Sequence, residues 1–222
     1  MTTKRTLYSY YRSSAAYRVR IALALKGLSY DTIPVHLLRD GGEQLMPAYR
    51  RRNPEGLVPT FEDEGHVLTQ SLAIIEYLDE AYDAPKLLPA TPLARARVRA
   101  LALHIACDIH PLNNLRVLRY LTHPLEVDKA QRDQWYRHWV TLGFEAIEAR
   151  LKSGETGRFC HGDTPTLADC CLVPQVYNAR RLEVDMTDFP TIERIDLVCS
   201  QLPAFQASAP EACLDAPTVA SL

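Results

Sequence analysis

The stretch Asp83-Ala84-Pro85-Lys86-Leu87-Leu88-Pro89-Ala90-Thr91-Pro92-Leu93 constrains this chain more than any other. Its three prolines break every periodicity, and the residue patterns on its two sides differ in kind. Before it, strand-like alternation exchanges with helix-like spacing; after it, every patterned segment keeps the helical period. A chain so divided is expected to form an α/β domain over 1–83, a Pro-rich linker over 84–92 and an all-helical domain over 93–222. Helical patterns run over 93–121, 128–152, 166–182 and 191–201, followed by a tail rich in proline and alanine.

Within the first domain, Thr6–Tyr10 reads as a strand and Ser14–Lys26 as a helix, with Gly27 placed to stop it. Tyr30–Leu37 reads as a second strand, and a polar segment, 39–44, leads into a short helix ending before Asn53-Pro54. Val58–Phe61 and His66–Leu68 resemble a hairpin turned by Asp63-Glu64-Gly65, after which Ser71 is placed to cap a helix carrying Leu72, Ile75 and Leu78. The order βαβ then ββα describes a small mixed sheet covered by helices.

Bulk properties narrow the function. At 222 residues, 47% hydrophobic and 23% charged, the chain has the composition of a soluble globular protein with ample length for a core. A formal net charge of −2 argues against nucleic acid or an anionic membrane as partner. No apolar run is long enough to span a bilayer, and Met-Thr-Thr-Lys-Arg-Thr lacks the apolar core of a secretory signal, so a cytoplasmic location is expected. The cysteines, Cys107, Cys160, Cys170, Cys171, Cys199 and Cys213, have neither disulfide-framework nor zinc-site spacing, and no metal is expected. Side chains of the vicinal pair Cys170-Cys171 diverge on a helix, so at least one is expected to be a small core residue.

Three features carry chemistry. Ser13-Ser14, flanked by Arg12, Arg18 and Arg20, opens the first helix, where hydroxyls, backbone N–H groups and the helix dipole favour an anion. The same pair also suits a plain serine cap. Val58-Pro59 opens a strand where a proline cannot donate to the ladder; if cis, it would turn the Val58 backbone outward to pair with a peptide-like ligand. Gln70-Ser71 ends a strand and begins a helix, offering a hydroxyl and helix-terminal N–H groups to a carboxylate. An edge-strand proline and an ordinary cap are the alternatives for these two.

Taken together these motifs resemble the zeta class of the cytosolic glutathione transferases. The run from Tyr8 to Gly27, Asn53-Pro54 with Val58-Pro59, and Gln70-Ser71-Leu72-Ala73-Ile74-Ile75-Glu76-Tyr77-Leu78 are similar to its glutathione-binding motifs. In the helical part, Asp108-Ile109-His110-Pro111-Leu112-Asn113-Asn114-Leu115 and Leu172-Val173-Pro174-Gln175-Val176-Tyr177-Asn178-Ala179 look like further signatures. The resemblance implies a thioredoxin-like first domain and a C-terminal helical bundle, with glutathione as cofactor. Ser13 or Ser14 would hydrogen-bond the sulfur and lower the thiol pKa. Gln70 and Ser71 would hold the γ-glutamyl end, Val58 with Pro59 the cysteinyl backbone, and Gln44, His110 and Asn114 would approach the tripeptide.

The implied activity is cis-trans isomerisation of maleylacetoacetate or maleylpyruvate by thiolate addition, bond rotation and elimination. Arg181 would face the small dicarboxylate substrate, with Arg12 a second cation near the sulfur. The class usually reads Ser-Ser-Cys where this chain has Ala15, which removes one contact to substrate or sulfur and is expected to tune the activity. Conjugation or dehalogenation of small α-halo acids, and non-catalytic glutathione binding, are the other activities such a scaffold hosts. A homodimer is implied as well. Thr166-Leu167-Ala168-Asp169 fits a capping box and is assigned to folding. Trp135, Trp139 and Phe144 are expected to pack the helical core. Arg20 and Arg180 read as solvated charges or salt-bridge partners, and His110 equally as a core or interface histidine.

Overall fold

The computed structural model describes residues 5–83 and 85–217. Ala84 of the expected linker, the charged N-terminal residues 1–4 and the last residues 218–222 lie outside the described residues. Two compact units result, one of Met1–Lys86 with Leu202–Leu222 and one of Leu87–Gln201.

The first unit is built on four strands, β1 (Thr6–Ser9), β2 (Asp31–Pro34), β3 (Thr60–Asp63) and β4 (His66–Thr69), in the order β2-β1-β3-β4. β1 runs parallel to β2 and antiparallel to β3, which is antiparallel to β4. α1 (Ser14–Leu25) makes the crossover between the parallel strands. Ser13 caps it by accepting the Ala16 N–H at 3.2 Å, and Gly27, at φ +63°, turns the chain after its last residues. Leu7 and Phe61 oppose each other across β1 and β3 and are fully buried with Val19, Ile21 and Leu23 of α1 and Ile74 and Leu78 of α3 (Ser71–Ala81).

Several expectations for this unit need correction. β2 is shorter than Tyr30–Leu37: its last bond to β1 runs from the Val35 N–H to the carbonyl of Ser9 at 2.7 Å, where β1 itself ends. The short helix expected ahead of Asn53 is present, as the single turn α2 (Pro47–Arg50). Ser71 is the first residue of α3, and Gln70, at φ +65°, occupies the cap position. The tail belongs to the first unit and not to the helical domain. There α9 (Pro203–Ser208) packs on α1 with Phe205 2% exposed. Arg20 anchors it: 3% exposed, it donates to the carbonyls of Ser208 (3.0 Å) and Tyr11 (3.0 Å) and to Ser9 Oγ (3.2 Å). It is therefore a buried structural cation, neither solvated nor on the surface. Further on, the Asp215 carboxylate accepts the Tyr11 N–H at 2.9 Å.

The second unit begins within the expected linker, where Leu87 and Leu88 are buried and the Leu87 carbonyl accepts the Leu167 N–H at 2.9 Å. The single helix expected over 93–121 is broken into α4 (Pro92–Leu103), a π-helical stretch His104–Ile109, a 3₁₀ turn Pro111–Asn113 and α5 (Leu115–Thr122). Pro111 accounts for the break: it has no N–H, its ring blocks continuation of the helix, and the His110 N–H reaches back to the Ile105 carbonyl at 2.9 Å. α6 (Lys129–Leu151), α7 (Leu167–Arg181) and α8 (Pro190–Ser200) complete the unit, with α7 packed on α4 and α8.

The capping box at α7 is present. Asp169, fully buried, accepts from Thr166 N (2.7 Å), Thr166 Oγ1 (2.9 Å) and Cys160 N (2.8 Å). Cys170 and Cys171 are both buried in the same helix. Of the three aromatics expected in the core only Phe144 is fully buried. Trp135 and Trp139 sit half-buried and edge to face, 5.6 Å apart, because the Trp135 indole keeps its N–H at the boundary to reach the Leu112 carbonyl at 2.9 Å. Among the described residues no helix is long and apolar enough to cross a membrane, and no group of three or more metal-ligating side chains comes together.

Candidate active site

Strand register gathers the three chemical motifs of the first unit. Ser9 pairs with Pro34, Tyr8 with Thr60, and Thr60 with Thr69. The loop to Ser13, the segment 35–44, the Val58-Pro59 step and the Gln70-Ser71 step therefore all leave the sheet at the same end. Under them lies an aromatic cluster of Tyr8, Tyr10 and Tyr49 with Val35 and Val58.

Ser13 Oγ is occupied as an acceptor by the Ala16 N–H, which leaves its own proton to donate outward; a hydroxyl that accepts one hydrogen bond donates the next more strongly. Ser14, the first residue of α1, is buried beside it. The neighbouring phenols stay neutral at physiological pH: burial pushes Tyr10 up to about 12, with Arg12 pulling the other way, and burial raises Tyr8 as well. Arg12 lies over the Tyr11 ring at 5.9 Å, half-buried. Protonated, Tyr8 and Tyr10 add no negative charge, and the Ser13 hydroxyl and the N–H groups at the start of α1 can donate to an anion here.

The Val58-Pro59 bond is cis. Asn53 and Tyr49 hold the chain on both sides of it. Asn53, 1% exposed, donates to the Leu57 carbonyl (2.9 Å) and Thr60 Oγ1 (3.1 Å) and accepts the Glu55 N–H (3.0 Å), while the Tyr49 hydroxyl reaches the same carbonyl at 2.6 Å. Asn53 therefore braces the step.

At the start of α3, Ser71 Oγ accepts from Arg18 Nη1 at 3.3 Å. Arg18 is 2% exposed, so a buried cation stands beside the positive end of the helix. Gln70 is exposed, and its amide donates to the Glu55 carboxylate at 2.6 Å. Gln44 lies in the segment after β2, 6% exposed, and its Oε1 is a buried acceptor with no donor among the described residues. Gly42, at φ +118°, allows that fold: a Cβ there would stand 2.6 Å from Gln44 Nε2.

The remaining predicted residues belong to the helical unit. Asn114 caps α5, its Oδ1 accepting the Arg116 N–H at 3.1 Å, and its amide faces His110 Nε2 at 3.4 Å. Arg181 ends α7, exposed, and hydrogen-bonds the hydroxyl of Tyr136, a phenol that burial pushes up to about 12. Arg180, by contrast, pairs with Asp196 at 2.6 Å. Sequence reasoning missed Glu55, which lay unmarked between Asn53-Pro54 and Val58-Pro59, and Asp215, whose partner is a backbone N–H that no side-chain pattern betrays.

A mixed four-stranded sheet with an anion-stabilising helix start, a cis-proline step and a second helix start at one end defines a thioredoxin-like ligand-binding unit joined to an all-helical one. Comparison with known proteins extends this. Residues 7–86 match the glutathione S-transferase N-terminal domain and residues 133–207 the glutathione S-transferase C-terminal domain. A probable maleylacetoacetate isomerase of Vibrio cholerae serotype O1 is 52% identical over 92% of this chain and 95% of its own. The holo structure of a maleyl pyruvate isomerase, described as a bacterial zeta-class glutathione S-transferase, has a TM-score of 0.93 at 47% identity, covering 96% of this chain and 100% of that one. A maleylacetoacetate isomerase of Methylobacterium extorquens AM1, solved with malonate and glutathione bound, has a TM-score of 0.92 at 38% identity, with the same coverage of 96% and 100%. The chain belongs to the glutathione S-transferase family, in its zeta class.

Proposed function

We infer that this protein is a glutathione-dependent cis-trans isomerase of maleylacetoacetate or maleylpyruvate. The observation that carries the reading is the convergence of Ser13, the Val58-Pro59 step, Gln44 and the Gln70-Ser71 step at one end of the sheet. These residues fit a tripeptide thiol. Gln44 Oε1 is a buried acceptor in need of a donor, such as a peptide N–H supplies, and Val58 presents a backbone for strand-like pairing. Ser71 with Arg18 and the α3 terminus suits a carboxylate.

Glutathione supplies, when bound, a sulfur nucleophile for reversible addition to an activated cis double bond. Ser13 or Ser14 donates a hydrogen bond to the sulfur position, and the start of α1 adds its partial positive charge, so the deprotonated form is favoured there at neutral pH. Burial keeps Tyr8 and Tyr10 protonated, so neither places a negative charge against it. In the helical unit, Arg181 is assigned to a carboxylate of the small dicarboxylate substrate, held in orientation by Tyr136, with Arg12 as a second cation. His110 and Asn114 are assigned to glutathione, and the active form to a cytoplasmic homodimer. Ala15, in the place the class usually gives to cysteine, leaves all of these groups intact.

The test is spectrophotometric isomerisation of maleylacetoacetate and of maleylpyruvate with and without catalytic glutathione, titrating thiol before and after. Turnover that requires glutathione and leaves the thiol titre unchanged is expected. Stoichiometric loss of thiol on α-halo acids, with no isomerisation, would replace this reading by conjugation. Sedimentation of the protein as a monomer would remove the dimer.

A further inference from the structure

The γ-glutamyl end of glutathione is a zwitterion, with an ammonium and a carboxylate on one carbon. A site that selects it needs charges of both signs a few ångströms apart. The start of α3 offers the cation side in Arg18, which donates to Ser71 Oγ at 3.3 Å, together with the helix terminus itself. One residue away stands the opposite charge. Glu55 accepts from Gln70 Nε2 at 2.6 Å through one carboxylate oxygen and from Thr69 Oγ1 at 3.3 Å through the other.

That contact decides which way the Gln70 amide points. A carboxylate only accepts, so the amide turns its NH₂ toward Glu55 and leaves its carbonyl oxygen as an acceptor. Gln70 is in turn held in the left-handed region at φ +65°, a conformation that fixes where its side chain leaves the backbone. Glu55 is placed by the same brace that holds the cis-proline step, its N–H bound to Asn53 Oδ1 at 3.0 Å. The result is an acidic acceptor pair, Glu55 and Gln70 Oε1, adjacent to a cationic donor pair, Ser71 and Arg18.

The geometry points to Glu55 as the residue that selects the ammonium of the γ-glutamyl group, acting with the Gln70 carbonyl oxygen while Ser71 takes the carboxylate. This rests on the glutathione reading above and adds to it a specificity determinant that the sequence motifs do not contain. Its consequence is selectivity for a thiol peptide with a free α-amino group over one of the same length without it.

Calorimetric titration of the full chain tests it, with glutathione and with glutaryl-cysteinyl-glycine, which differs only in lacking the amine. The wild-type protein should bind glutathione more tightly than the analogue. Glu55→Gln, which keeps an acceptor for the Gln70 amide but removes the charge, should weaken glutathione by about fivefold, the effect of a solvent-facing charge pair. Its affinity for the analogue should stay unchanged, so the preference disappears. Equal weakening of both ligands would reduce Glu55 to a positioning residue for Gln70, and no change in either would make it a surface pair; both outcomes overturn the assignment. If the wild-type protein binds neither ligand, the glutathione reading itself fails and takes this one with it. Glu55 is exposed, and an unchanged melting temperature for the variant shows that the fold is intact.

Discussion

Arg20 is the residue whose removal should be felt furthest from where it sits. It lies on α1, yet its guanidinium joins the end of β1 (Ser9 Oγ, 3.2 Å), the turn toward Ser13 (Tyr11 carbonyl, 3.0 Å) and the returning C-terminal segment (Ser208 carbonyl, 3.0 Å). Arg20→Met keeps most of the stem volume and deletes all three donors. Two carbonyls are then left without their donor, each costing about 1–3 kcal/mol. Relief from burying the guanidinium, which burial already pushes below the usual arginine pKa, offsets part of that. The expected net loss is about 3 kcal/mol. Asp215→Asn removes the charge from the bond to the Tyr11 N–H, a half-buried contact worth about 1 kcal/mol. Because the two side chains hold the two ends of one peptide residue, Tyr11, the double variant should cost less than the sum, with a coupling of at least ~0.5 kcal/mol. Global melting mixes the two units, so the assay is native-state hydrogen exchange at the β1 amides Leu7 and Tyr8. A loss under about 1 kcal/mol for Arg20→Met, or strict additivity, would refute the idea that the tail is latched to the serine turn through this cation.

Other outcomes follow from the same geometry. Asp169→Ala should destabilise the helical unit by about 3–5 kcal/mol in urea titrations, since it strands the buried N–H groups of Cys160 and Thr166 as well as deleting the cap. Ser13→Ala should cost about 1 kcal/mol through the lost α1 cap, whereas Ser14→Ala should not lose a cap; the thiolate absorbance of bound glutathione in the two variants then shows which hydroxyl meets the sulfur. Burial raises the Asp196 pKa despite Arg180, so the folded state holds that proton more tightly than the unfolded chain. Stability from this group is present at low pH and falls as pH rises through the raised pKa. Arg180→Ala should therefore destabilise more at pH 7 than at pH 4, by an amount on the order of 1 kcal/mol in paired urea titrations. Saturating glutathione, at about a hundred times its Kd, should add roughly 2.7 kcal/mol to the unfolding free energy of the first unit.

How far the site could be read from the chain depends on the range of the interaction that makes each part. Ser13 announced itself because a cap is local: the hydroxyl that accepts and the Ala16 N–H that donates are three residues apart, and the helical pattern between them is visible in the letters. Ser71 gave the right helix start and the wrong partner. Its cap position went to Gln70, whose positive φ no propensity favours, and its hydroxyl went to Arg18, which lies 53 residues earlier. Arg20 shows the limit most sharply. On α1 its spacing is that of a polar face, and only the return of α9 onto that helix converts a surface charge into a buried one. The tail in turn carried no periodicity to betray its destination, since each anchor pairs one side chain, Arg20 or Asp215, with a main-chain group, the Ser208 carbonyl or the Tyr11 N–H, that nearly every residue type possesses. The latch on the serine turn is therefore only half written in side chains, and a substitution in the tail that spares every glutathione contact should still alter how firmly Ser13 is held.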